Sequence, residues 1–245
     1  MSDLEDRTDV SVILCAFNEG NVIGNAINKV NSVMMGTGWN YEIIVVDDGS
    51  LDDTRKKAMT CADEKGVSRL KIIGYEENLG KGNAIKTGFT HSRGDLVVVI
   101  DSDLDVDPKL IPCYVEALKW NDIAVASKWH PESHTAIKLS RKILSVGFNV
   151  LSRLFTGIKL KDTQTGLKAF RREVLNKMVP KFVVKRYAFD LEVIGACNHA
   201  GYRIVDMPVD VNIESMVSFK EVFRMTLDML GIAYRLRVLK YYQRS

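Results

Sequence analysis

Residues 94–108 read GDLVVVIDSDLDVDP, so an apolar run from Leu96 to Ile100 meets Asp101, Asp103, Asp105 and Asp107 without a spacer. A short, unbroken apolar run is what a strand buried on both faces looks like. Here it delivers acids to one end of the strand. The pattern recurs: VSVILCAF (10–17) is followed by Asn18 and Glu19, and YEIIVVDDGS (41–50) carries Asp47 and Asp48. RLKIIGY (69–75) and IAVAS (123–127) add two further runs, with helix-period segments between them. That alternation predicts an α/β fold, a mostly parallel sheet flanked by helices. Ser50 or Asp52 is placed to cap the helix after the second strand, and Pro108 suits the first turn of another. In such sheets ligands bind beyond the carboxyl ends of the strands, where these acids converge.

The rest of the chain bounds the function. Its 245 residues hold no repeat, low-complexity tract or linker, which predicts a single domain. A net charge of +3 is too mild to argue for nucleic acid. The four cysteines, Cys15, Cys61, Cys113 and Cys197, form no CxxC pair, which fits a reducing compartment without a zinc site or disulfide frame. The acidic opening MSDLEDRTDV has no signal-peptide pattern, and no apolar run approaches the roughly 20 residues that cross a bilayer.

In an extended segment, residues i, i+2 and i+4 face the same way, so Asp101, Asp103 and Asp105 are expected on one face. Carboxylates that close repel unless a cation joins them, and Mg²⁺ or Mn²⁺ suits oxygen ligands while leaving room for a diphosphate. A solvated turn is the competing reading. A calcium loop fails on spacing, with Val106 at its sixth position and Pro112 at its twelfth. GYEENLGKGNA is not a Walker loop: five residues separate Gly74 from Gly80, and Gly82 follows Lys81. Lys81, at a helix start, is either a helper for an anionic ligand or a solvated lysine.

Together these segments resemble family 2 glycosyltransferases. VSVILCAFNEG is similar to their first strand, VVDDGSLDDT to the second-strand motif, NLGKGNAIKTGF to the N-x-G-K-G helix start, and DSDLDVDP to the D-x-D metal motif. The resemblance covers about residues 10–110 and implies the GT-A fold. DTQTGLKAFRREVL (162–175) and KRYAFDLEVIGACNHAGYRIVDMPV (185–209) resemble dolichyl-phosphate hexose synthases, the β-glucosyltransferase pattern more than the mannose synthase one. The implied division is a nucleotide-sugar half (1–110), an acceptor half (111–215) and a C-terminal amphipathic helix (216–245). Three positions depart from the pattern. Cys15-Ala16 replaces Pro-Thr, Asp105 stands where Gln or Glu is frequent, and Lys128 stands where Ser-Arg is usual, without the guanidinium fork.

The resemblance implies transfer of a hexose from UDP-glucose or GDP-mannose to a polyprenyl or dolichyl phosphate, with inversion. Phe17, Asn18, Glu19 and Asp48 would hold base and ribose, although Asn18 and Glu19 also suit a helix cap. Asp101, Asp103 and Asp105 would hold Mg²⁺ or Mn²⁺ on the diphosphate. Lys128, Arg141 and Arg186 would gather the acceptor phosphate, and Asp162 would orient it or act as a base, unless it only forms a turn. Transfer to a soluble sugar or protein, a non-catalytic nucleotide-sugar binder and a nucleotidyltransferase are the rival readings. His130, His134 and His199 have no spacing that compels a role.

Two segments bear on membranes. Residues 137–161 space Leu139, Ile143, Leu144, Phe148, Leu151, Leu154, Phe155 and Ile158 near helical period, and between Lys138 and Lys161 there are six basic residues and no acid. Residues 218–242 repeat the pattern, with Arg235, Arg237, Lys240 and, just beyond, Arg244. Basic amphipathic helices suit an anionic lipid surface, and equally a helix packed on its own sheet. The expectation is a peripheral protein on the cytoplasmic face of a membrane, or one anchored there by a partner subunit.

Overall fold

The computed structural model describes residues 7–243 except 66, 68, 138, 159, 161, 163, 187 and 214–218. Strands β1 (Val10–Ala16), β2 (Tyr41–Asp48), β3 (Leu70–Tyr75) and β4 (Leu96–Asp101) alternate with helices α1 (Ile23–Met35), α2 (Thr54–Lys65) and α3 (Lys81–His91). After β4 come α4 (Ile111–Ala117), β5 (Ile123–Ala126), β6 (Thr135–Ile137) and α5 (Leu139–Thr156). The chain continues through β7 (Leu167–Arg171), α6 (Arg172–Met178), α7 (Phe189–His199), β8 (Ile204–Met207), β9 (Val211–Ile213) and α8 (Phe219–Arg237).

Among the described residues the main sheet has seven strands in the order β3-β2-β1-β4-β7-β5-β8, and β6 pairs with β9 in a separate ribbon. Alternation along β1 shows why the sheet needs two covers. Val10, Val12 and Leu14 pack with Ile23, Ile27 and Val30 of α1 and Ile111 of α4. Ile13 faces the opposite layer with Ala84, Ile85 and Phe89 of α3. Each such side chain, once fully buried, contributes about 1.5–3 kcal/mol.

The exception to parallel pairing positions the site. β7 runs antiparallel to both β4 and β5, with Ile100 opposite Leu167. The residues that lead into β7, 164–166, therefore arrive at the carboxyl end of β4. The sequence reading lacked β7 and β8. Within β7, LKAFR places a lysine in a buried strand, which breaks the apolar run used to find the others.

Candidate active site

The β1 turn and the β2 loop are knitted together before any ligand is considered. Asn18 adopts φ +57°; its N–H donates to Ser50 Oγ (2.9 Å), and its Oδ1 accepts from Leu51 N–H (2.9 Å). Glu19 N–H donates to Thr54 Oγ1 (2.8 Å) and Gly20 N–H to Asp52 Oδ2 (3.0 Å). The Asn18 side chain thus ties two loops together, and α1 begins without a side-chain cap. Phe17 is exposed beside this turn. Burial, followed by the charges of Asp103, Asp52, Asp101 and Asp105, pushes the Glu19 carboxyl up. The acids of three strand ends do converge here.

Asp48 is turned inward. Its carboxylate accepts from Tyr75 Oη (2.6 Å), Asn78 Nδ2 (3.1 Å), Leu79 N–H (3.0 Å) and Gly80 N–H (2.9 Å). It therefore shapes the loop that leads to α3. Gly80, at φ +95°, and Gly82 leave room for the segment before α7. A Cβ at Gly80 would stand 2.4 Å from Lys185 O, and one at Gly82 would stand 2.6 Å from the Phe189 ring. Gly82 N–H also donates to Lys185 O (2.8 Å). This close seam delivers Asp190 to Lys81.

Lys81 Nζ lies 2.7 Å from Asp101 Oδ1, 2.9 Å from Asp101 Oδ2 and 3.5 Å from Asp190 Oδ2. Burial alone would depress the ammonium's pKa, but Asp101 and Asp190 outweigh it and hold the value above that of an ordinary lysine. Lys168 Nζ binds Asp190 Oδ1 at 3.0 Å and donates to Thr165 O at 2.8 Å. For Asp190, burial is outweighed by the two lysines, so its carboxyl lies below the usual range. Sequence reasoning missed Asp190 and Lys168, because their meaning lies in a pairing of residues far apart in the chain.

The expected common face of Asp101, Asp103 and Asp105 does not form. β4 ends at Asp101, Leu104 turns left-handed at φ +59°, and Asp103 Oδ1 accepts from Asp105 N–H (3.1 Å). A turn replaces the extended segment, so strand alternation cannot place the three carboxylates. Among the described residues no group of three or more His, Cys, Asp or Glu is arranged to hold a metal. Asp101 and Asp103 still fit a divalent ion that takes one or two carboxylates and fills its remaining positions with diphosphate and water. Solvent reaches Asp103. Even so, partial burial and then the charge of Asp101 push its carboxyl up to about 6, against the stabilising Asp105 N–H. Gly166 makes the close fit: its N-side loop packs on Asp101, and a Cβ there would lie 2.4 Å from Asp101 Oδ2.

Ahead of β7, Asp162 is buried and accepts from Lys128 N–H (3.0 Å), Gln164 N–H (2.9 Å) and Thr165 Oγ1 (2.7 Å), with Lys128 Nζ at 3.4 Å. Burial is outweighed by Lys128 and these donors, so its carboxyl stays below the usual range. Such a group orients Lys128 and is a poor proton acceptor. On either side of Lys128, Ser127 Oγ and Trp129 Nε1 are buried without a hydrogen-bond partner among the described residues. Arg186 is exposed beside Gly80 at the rim. Arg141 lies on α5, and its side chain falls outside the described residues.

Solved structures share this architecture. Glucosyl-3-phosphoglycerate synthase from Mycobacterium tuberculosis in complex with UDP superposes with a TM-score of 0.70 at 22% identity, over 94% of this chain and 80% of that one. The same enzyme with Mn²⁺, UDP-glucose and glycerol 3-phosphate gives 0.69 at 21%, over 94% and 80%. Among curated proteins, the human dolichyl-phosphate β-glucosyltransferase is 30% identical over 92% of this chain and 75% of its own length. The Dictyostelium discoideum protein of that name is 28% identical over 94% and 75%. Glycosyltransferase AglD of Haloferax volcanii is 31% identical over 82% of this chain, which spans only 33% of that protein. The glycosyl transferase family 2 model matches residues 11–179. With the strand-end acids and the GT-A sheet in place, that match settles the lineage: the chain belongs to glycosyl transferase family 2, a family of glycosyltransferases.

Proposed function

We propose that this chain transfers a hexose, with inversion, from a nucleoside diphosphate sugar to the phosphate of a polyprenol or dolichol. The observation that carries it is the placement of Asp101 and Asp103 at the end of β4, with Lys81 paired to Asp101 and the Asp103 carboxyl pushed up by burial and by Asp101. Asp101 and Asp103 would hold Mg²⁺ or Mn²⁺, which when bound offsets charge growing on the leaving diphosphate. Phe17, Asn18 and Glu19 line the nucleotide end, and Asp48 acts by fixing the loop before Lys81. The names of the human and Dictyostelium relatives favour glucose over mannose and a dolichyl-type acceptor, and UDP-glucose is the donor bound in the Mycobacterium tuberculosis synthase of the same fold. A Rhizobium johnstonii relative is named dodecaprenyl-phosphate galacturonate synthase, which points to the same acceptor chemistry.

A phosphate monoester is largely ionised near neutrality, its second pKa being about 6. Its oxygen attacks the anomeric carbon without a strong protein base, which agrees with an Asp162 already committed to Lys128. The acceptor half must instead supply cations. Arg186 at the rim, Arg141 on α5 and Lys128, oriented by Asp162, take that part.

A lipid acceptor also accounts for the apolar residues left exposed on α5 and α8, including Leu151, Leu154, Phe223 and Leu227. No helix among the described residues is long and apolar enough to cross a membrane. The protein would then work from the cytoplasmic face, bound peripherally or through an anchoring subunit.

The test supplies Mn²⁺ or Mg²⁺, a polyprenyl phosphate and a panel of UDP- and GDP-sugars. A lipid-linked glucose product from UDP-glucose is expected. Asp103→Ala should stay folded and lose transfer by about 100-fold or more, the scale of removing one electrostatic stabiliser. Product formed only on soluble acceptors such as 3-phosphoglycerate would replace the lipid assignment.

A further inference from the structure

Behind the carboxyl end of β4, charges alternate in one chain: Asp101, Lys81, Asp190, Lys168. The two inner members and Lys168 are largely shielded from water, with side-chain exposure of 22% for Lys81, 7% for Asp190 and 5% for Lys168. Lys81 occupies both oxygens of Asp101, the carboxylate a divalent ion would share with Asp103. An ammonium and a divalent cation cannot hold the same carboxylate closely without strong repulsion. Only 3.5 Å away, Asp190 Oδ2 offers a second anionic partner, fixed by Lys168 on its other oxygen. Gly80 and Gly82 allow this approach, since side chains there would push Lys185 and Phe189 away from α3.

We propose that Lys81 is the internal counter-ion of Asp101 in the metal-free protein, and that Asp190 is the berth that receives its ammonium when a divalent ion takes Asp101. Asp190 and Lys168 are thus positioning residues: they touch neither sugar nor diphosphate, and they set how readily Asp101 is released to the metal. The shift is short, because Lys81 already lies within ion-pair distance of both carboxylates. Charge is conserved within the chain, which is neutral before and after the exchange. This inference rests on the metal site proposed above.

Mn²⁺ alone, with no nucleotide, tests it on the full chain by electron paramagnetic resonance or calorimetry, with circular dichroism to confirm folding. Asp190→Asn removes the berth and should weaken Mn²⁺ binding by about 10- to 100-fold, the scale of other outer-shell changes at metal sites. The double variant Lys81→Met/Asp190→Asn removes one charge of each sign and so leaves the net charge unchanged, while Lys168 keeps its bond to Thr165 O. It should bind Mn²⁺ about tenfold more tightly than the unaltered protein, because the competing cation is gone. Binding by both variants within about twofold of the unaltered protein, on that same tenfold scale, would overturn the berth and leave the metal site standing. Weaker binding by the double variant would also overturn it, by showing that Lys81 helps the ion. If the unaltered protein takes up no Mn²⁺, metal site and berth fall together.

Discussion

Asp162 shows how burial and charge decide a residue's task. At 1% exposure, a lone carboxylate would be driven toward its protonated form, yet Lys128 and three hydrogen-bond donors hold it ionised. Its folded pKa lies below the unfolded value of about 3.9, so its stabilising contribution is complete above about pH 4 and is lost as pH falls through the folded value. Asp162→Asn should therefore cost about 3–5 kcal/mol near neutrality, where it strands the buried Lys128. In urea unfolding, the gap to the unaltered protein should narrow only below about pH 4. A gap that widens on acidification would mean the carboxylate is not held ionised. The sequence showed Asp162 as a polar residue heading DTQTG, but not its partner 34 positions away. Asp190 and Lys168 were hidden for the same reason. The Asp101–Asp105 expectation failed on one residue, since nothing in a leucine announces the left-handed turn at Leu104.

Elements were legible in proportion to their apolar purity. β1, β2 and β4 sit within a residue or two of their expected bounds, because nearly every position is buried. β8 is short and only half-buried, and β7 hides a lysine whose charge is met by Asp190. The amphipathic segments became α5 and α8, as their periodicity predicts. What their periodicity did not show is how the C-terminal end is fastened. Glu192 on α7, fully buried, accepts from Val183 N–H (2.9 Å) and Val184 N–H (2.8 Å), and from Tyr242 Oη and Arg235 beyond it. Arg235 Nε in turn donates to Tyr242 Oη at 2.9 Å. Tyr242→Phe removes the hydroxyl shared by both and should lower unfolding free energy by about 1–3 kcal/mol. A change near zero in a denaturant titration would show that the latch bears no share of stability.

At the scale of the whole molecule, one flank stays apolar. Val146, Val150, Leu151 and Leu154 of α5 are exposed, as are Phe223, Leu227, Leu230 and Tyr234 of α8, with Arg153, Arg224 and Arg237 also exposed on the same helices. Arg237 donates to Leu154 O (2.7 Å) and joins the two helices. Vesicles containing anionic lipid should pull the protein down in co-sedimentation, and raising salt should release much of it, because exposed charge is screened. Equal recovery in the supernatant with and without vesicles would remove lipid from the account of this flank. The antiparallel strand inside the sheet carries a different lesson, for anyone who would retarget the enzyme by grafting a relative's second half. Ile100 faces Leu167, and Asp101 N–H donates to Gly166 O (3.2 Å). A slip of a single residue would turn every β7 side chain to the opposite face and set Thr165 or Leu167 where only a hydrogen atom fits against Asp101. A chimera must therefore splice in phase at that seam, whatever its loops are meant to recognise.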